Sequence, residues 1–274
     1  MKKRQTFTTE FKLEAVCLLE NTMPRKAGYW CRIVRTILVA PAHPFARDIA
    51  LTCASCRGHN RNTVFIANDD YQFYLENLFE WKVRLGVKVY AWCLMANHVH
   101  LIVEPRNDAK TLSELMKRLA GRQSALVNKL ERRTGSLWDG RFKASPIQRD
   151  EYMLPCLRYV EMNPVRANMV AGPRQYRWSS YRERMGLDDK HLIDLDPTFL
   201  SLGENEDVRR SRYMEYVQVG ITDKEIELLR AALQRNRLTG NDRFVEEVAI
   251  RIGCRAENRG RGRPVHAHKS VNPI

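Results

Sequence analysis

Two histidines one residue apart, His98 and His100, stand in the otherwise apolar run CLMANHVHLIVEP. Residues i and i+2 of a strand point the same way, so both imidazoles share one face while Val99 and Leu101 take the other. Two imidazoles side by side can supply two ligands to a divalent metal. An isolated H-x-H is more often a hydrogen-bonded pair at a sheet surface, so the decision rests on its surroundings. The same spacing recurs at His266 and His268, in no apolar strand, and is read there as composition. Further along, Tyr159 and Asn163 lie four residues apart in a segment with helical periodicity, which puts a phenol and an amide on one face. A tyrosine oxygen can attack an electrophile if the developing charge is drawn off by a metal. With an ordinary pKa of about 10, a tyrosine needs that help, or a nearby Lys or Arg, to become a nucleophile.

The elements that must position these groups are legible from about Asp48 onward. IALTCAS has strand composition, and RGHNRNTVFI reads as a loop leading into a short extended piece. Asp69 or Asp70 caps a helix carrying Tyr74, Leu75, Leu78 and Leu85 on one face, and Gly86 ends it. VKVYAWCLM and HVHLIV follow as strands of a hairpin broken at Ala96-Asn97. Thr111 and Glu114 form a capping box for a helix whose apolar stripe is Leu112, Leu115, Met116, Leu119, Leu126, Val127 and Leu130. After a turn at Asp139-Gly140 and another short strand, Asp150 caps a third helix, which carries Tyr159. The second and third strands are joined too tightly for a parallel crossover, so the sheet is largely antiparallel. The order fits an α+β fold: a ferredoxin-like split βαβ palm with helices on one face, plus a C-terminal helical extension.

The chain has 46 Lys and Arg against 32 Asp and Glu, a net charge of +14. That excess favours a polyanion, and nucleic acid is the commonest inside cells. No basic amphipathic anchor and no apolar run of spanning length is present, so no membrane partner is expected. The N-terminal MKKRQTFTTEFK lacks the apolar region of a signal peptide, and a cytoplasmic location is the expectation. Seven cysteines are scattered without a disulfide framework, which suits a reducing compartment. Cys53 and Cys56, in CASC, have metal or redox spacing but no second pair to complete a zinc site. With this charge, the phenol, amide and two imidazoles suggest attack of Tyr159 on a DNA phosphodiester.

Four blocks carry a resemblance. YAWCLMANHVHLIVEP, GSLWDGRFKASPI, CLRYVEMNPVRANMV and YRWSSY, in that order from about Arg57 to Tyr181, resemble the signature blocks of the REP-associated tyrosine transposases. These belong to the HUH (His-hydrophobic-His) single-strand transposase superfamily, with an IS200-like transposase domain. The resemblance implies that His98 and His100 are metal ligands, Tyr159 the nucleophile and Asn163 a further ligand, with Mg²⁺ or Mn²⁺ as cofactor. It implies cleavage of single-stranded DNA beside a hairpin, a 5′-phosphotyrosine, a free 3′-OH, and transfer of the strand without an external energy source. Single-stranded or hairpin DNA is the expected partner, and a homodimer is left open. Arg118, Arg122, Arg141, Lys143, Arg158 and Arg166 are candidates to track phosphates. Trp138, Trp178 and Tyr181 are weighed as base-stacking groups against a packing role.

Three features depart from the resemblance. Ala96 stands where Pro is usual, Pro155 lies within the nucleophile helix and predicts a kink, and the segment before RGHNR is altered, as in a damaged edge strand. They keep open an alternative, a catalytically inactive relative that only binds DNA hairpins. A third reading, a metal or redox enzyme built on CASC, leaves the charge and the tyrosine block unexplained. Four regions are expected: an irregular extension over 1–45, the transposase domain over 46–183, a helical region with a helix-turn-helix-like unit over 184–255, and a basic tail over 256–274. The first twenty residues resemble the start of the helix-turn-helix of a DDE-type insertion-sequence transposase, and RGRGRP in the tail resembles an AT-hook core; neither is assigned a function.

Overall fold

The computed structural model describes residues 51–105 and 110–252. The N-terminal extension, the basic tail with RGRGRP and the second H-x-H all lie outside the described residues. Four strands form one antiparallel sheet: β1 (Thr52–Arg57), β2 (Val87–Met95), β3 (His98–Pro105) and β4 (Lys143–Pro146). Their spatial order is β2-β3-β1-β4. That order is the split βαβ arrangement, because β1 and β2 are separated by β3 inserted between them. The described part of the segment read as a damaged edge strand is thus β1, a central strand paired on both sides. Its register sets Arg57 opposite His98, Ser55 opposite His100 and Cys53 opposite Ile102.

Helix α1 (Asn68–Leu85) and helix α2 (Lys110–Leu130) pack together as the crossover pair. Tyr74, Leu75 and Leu78 are buried as expected, while in α2 the exposed Leu130 leaves the stripe and Gln123 joins it. Asp70 sits in the third position of α1, where its carboxylate accepts from the Ile66 and Ala67 backbone N–H groups. Gly86 takes the left-handed φ of 62° that closes the helix. Helix α2 begins one residue before Thr111, and Glu114 pairs with Arg118.

Helix α3 (Arg149–Glu161) runs through Pro155 without interruption, and α4 (Asn163–Arg166) follows after a break at Met162. The residue preceding α3 is Gln148; Asp150 lies in the first turn and is not the cap. The expectation of helices on one face holds for α1 and α2 and not for α3. Burial, with Cys56 as a neighbour, raises the Tyr74 phenol of α1, whereas burial, with Cys53 as a neighbour, raises the Cys156 thiol of α3. Cys53 and Cys56 are three apart on a strand and face opposite sides, so α1 and α3 cover opposite faces.

Both sheet edges are closed by later parts of the chain. Along β2, Leu94 donates its backbone N–H to Trp178 O and Ser180 to Trp92 O, both at 2.9 Å, and Asp194 donates to Val89 O at 2.6 Å. Along β4, Thr239 donates to Pro146 O at 2.7 Å, and Asn236 Oδ1 accepts from Ala144 N at 2.9 Å. Helices α5 (Glu206–Gln218), α6 (Asp223–Gln234) and α7 (Asp242–Ile252) follow, and α6 packs on β4, β1 and α3. The Thr222 side chain caps α6 by accepting from Glu225 N. The region read as helix-turn-helix-like therefore packs, through α6, on the palm.

Candidate active site

His98 and His100 project from β3 on the face that α3 covers, with ring centroids 5.2 Å apart and planes at 84°. Tyr159 comes down from α3 edge-on to His100, its ring centroid 5.9 Å away. The Arg166 guanidinium lies over the Tyr159 ring at 4.0 Å and donates through Nη2 to Asn163 Oδ1 at 2.6 Å. His98, His100, Tyr159 and Asn163 thus belong to one cluster, and Arg166 ties the last two together. Asn163 is not the next turn of the same helix, as its spacing suggested. It opens α4, and its amide also donates to Val160 O at 3.3 Å.

The electrostatics keep both imidazoles neutral. Burial, then the Arg57 and Arg166 charges, lowers His98 to about 4; burial, then His98, Arg166 and Arg57, holds His100 well below the usual range. A neutral imidazole is the form that binds metal. His98 Nδ1 meets Asn97 Oδ1 at 2.6 Å and, as the N–H donor, leaves the Nε2 lone pair available. His100 Nδ1 is buried with no hydrogen-bond partner. These are features of a ligand pair, and an amide oxygen such as Asn163's suits a hard cation. No group of three His, Cys, Asp or Glu that could hold a metal occurs among the described residues; within the cluster, the other oxygen donor beside the histidines is the Asn163 amide.

The remaining candidates divide. Lys143 is exposed and stands opposite Ser55, itself opposite His100, so it lies on the face of the histidines two strands away. Arg141, two residues earlier and outside β4, is also exposed. Arg118 and Arg122 belong to α2, behind the opposite face, where both stack on Trp81 and pair with Glu114 and Glu80. Arg158 does not fit a phosphate-tracking role: it is buried, holds Glu225 of α6 through two 2.8 Å bonds, and donates to Tyr216 O. Burial also removes Trp138, Trp178 and Tyr181 as base-stacking groups; Trp178 stacks on Tyr71 at 4.7 Å. Two cations were missed. Arg57 faces His98 across the β1–β3 ladder, which the strand register would have revealed, and Arg230 of α6 acts on Arg166, which no sequence signal indicated.

Residues 55–163 match the family model described as transposase, IS200-like. This segment, about two fifths of the chain, is similar to the IS200-like transposase family. It runs from Ser55 in β1 to Asn163 and so contains both histidines and Tyr159, while Arg166 and helices α5 to α7 lie beyond it. A solved structure described as a REP-associated tyrosine transposase bound to a REP hairpin is similar over 55% of this chain and 88% of its own. The identity is 16% and the TM-score 0.44. No curated protein matches. No helix among the described residues is long and apolar enough to cross a membrane.

Proposed function

We propose that this protein cleaves and rejoins single-stranded DNA near hairpins, in DNA transposition, through a 5′-phosphotyrosine formed at Tyr159. The observation that carries the reading is the contact of Tyr159 with His100 beside His98, in a segment that matches the IS200-like transposase model. The Tyr159 oxygen attacks the phosphorus, a P–O bond to Tyr159 forms, and the bond to the 3′ oxygen breaks. The phenolic proton passes to solvent, and the departing oxygen takes one up as a 3′-OH. Attack of another 3′-OH on the phosphotyrosine reverses these steps and joins the strands.

His98 and His100 would hold a Mg²⁺ or Mn²⁺ ion, with Asn163 as a third donor once its oxygen leaves Arg166. Such an ion polarises the phosphate and neutralises charge as it develops. Arg57, Arg141 and Lys143 supply cations for the approaching strand. A second reading, hairpin binding without cleavage, is favoured by one observation, the engagement of Asn163 Oδ1 by Arg166, which leaves two ligands in the described state.

Hairpin oligonucleotides with single-stranded flanks, taken from palindromes bordering the gene, test the proposal. With Mn²⁺ the account expects one cleaved strand with a free 3′-OH, and a joined product when a second labelled 3′ end is added. Tight binding without either product refutes the enzymatic reading in favour of the second.

A further inference from the structure

Among the described residues, the Arg166 cation has no counter-ion. Its Nη2 donates to the neutral oxygen of Asn163, the neutral Tyr159 phenol lies beside it, and its buried Nε and Nη1 make no hydrogen bond of good geometry. It takes part in none of the ion pairs found among the described residues, whereas the buried Arg158 and Arg184 each hold a glutamate. Its charged neighbours, Arg57 by way of the histidines and Arg230, are themselves cations. A partly buried guanidinium left in this state is destabilising, and an anion arriving in the working complex would relieve it. The guanidinium lies over the Tyr159 ring and interacts with its phenol, which puts an anion held by Arg166 near the phenol oxygen, on the histidine face.

We propose that Arg166 is a catalytic residue of the transesterification, taking the non-bridging oxygens of the scissile phosphate with its unpaired donors as Tyr159 attacks. This deepens the reading of Tyr159 as nucleophile and rests on it. The planar fork matches two phosphate oxygens at once, and it gains most as negative charge builds in the transition state. The same movement toward the phosphate draws Nη2 off Asn163 Oδ1 and frees that oxygen. Arg166 is thus distinct from the exposed cations, which meet the strand elsewhere.

The test uses the full chain and a hairpin oligonucleotide whose cleavage position has first been mapped with the unaltered protein. A second probe carries a neutral methylphosphonate at that one linkage. The unaltered protein should bind the charged probe about tenfold more tightly than the neutral one, and Arg166→Gln should bind both alike. Adduct formation by Arg166→Gln should fall by about 10²–10³-fold, with no loss of thermal stability. A merely structural Arg166 would lower stability and leave the preference for the charged probe intact. Arg166→Lys, which keeps the charge and loses the fork, should retain the preference and react more slowly than the unaltered protein. It carries the test should the glutamine variant fail to fold. Near-normal reaction by Arg166→Gln, an undiminished preference for the charged probe, or full speed from Arg166→Lys overturns the proposal. Failure of the unaltered protein to form any adduct would instead overturn the assignment of Tyr159, and this inference with it.

Discussion

Glu161, two residues after Tyr159, holds the end of helix α3 through groups that are all out of solvent. Its carboxylate accepts from Arg184 Nε at 3.0 Å, from Ser180 Oγ at 2.7 Å and from the Tyr213 hydroxyl at 2.7 Å. Both side chains of the Glu161–Arg184 pair are 0% exposed. Replacing Glu161 with Gln keeps the shape, so the loss is almost purely one of charge. Removing one partner of a buried ion pair typically costs about 3–5 kcal/mol, because the other charge stays behind unpaired. The glutamine oxygen can still accept from one or two of the three donors, which places the expectation near the lower end, about 3 kcal/mol. For a domain of this size that is a fall in Tm of roughly 6–12 °C. Urea unfolding followed by circular dichroism measures it, and Glu161→Gln/Arg184→Met supplies the cycle. The double variant should be less destabilised than the sum of the singles, by about 2 kcal/mol, since no charge is then stranded. A loss below about 1 kcal/mol for Glu161→Gln, or strictly additive variants, would refute the idea that a buried ion pair anchors α3.

Other predictions follow from the same geometry. Arg158→Met should loosen α6 from α3 and destabilise by about 2–4 kcal/mol, read by urea unfolding, because Glu225 loses its buried partner. Arg57→Gln should weaken hairpin binding and reduce the slope of log affinity against log salt by about one, where Arg122→Gln should leave that slope unchanged. Burial raises the Cys53 and Cys56 thiols to about 12, so at pH 8 neither should react with iodoacetamide in the folded protein, as mass mapping of the alkylated peptides would show. His98 is lowered to about 4 in the fold against about 6.5 unfolded. The unfolded chain therefore binds the extra proton between those values, and stability should fall as pH drops from about 6.5 to 4. His98→Asn should show a shallower fall over that window.

The palm was readable because its signals are local. Period-two apolar runs, a two-residue break at Ala96-Asn97 and long amphipathic helices specified the strand order, and H-x-H parity put both histidines on one face. The third helix was located but not its side of the sheet, because burial on both faces leaves no polarity pattern in β2 and β3. Asn163 was grouped correctly with Tyr159 for a partly wrong reason, since a break at Met162 replaces the regular i, i+4 relation. The arginines were hardest. Arg158 and Arg166 sit eight residues apart in one basic block, yet one is spent on Glu225 and the other has no counter-ion among the described residues; only tertiary contacts separate them. The CASC spacing was uninformative for a simple reason: Cys53 and Cys56 lie on opposite faces of a central strand and cannot share a ligand.

The central claim is that Tyr159 becomes covalently joined to DNA. The protein and its Tyr159→Phe variant would be incubated with the hairpin oligonucleotides and Mn²⁺, with and without chelator, denatured, digested and analysed by peptide mass. The account predicts a nucleotide-bearing adduct on the peptide containing Tyr159, lost with chelator and absent from the variant. An adduct on another residue, or undiminished cleavage by Tyr159→Phe, would contradict it.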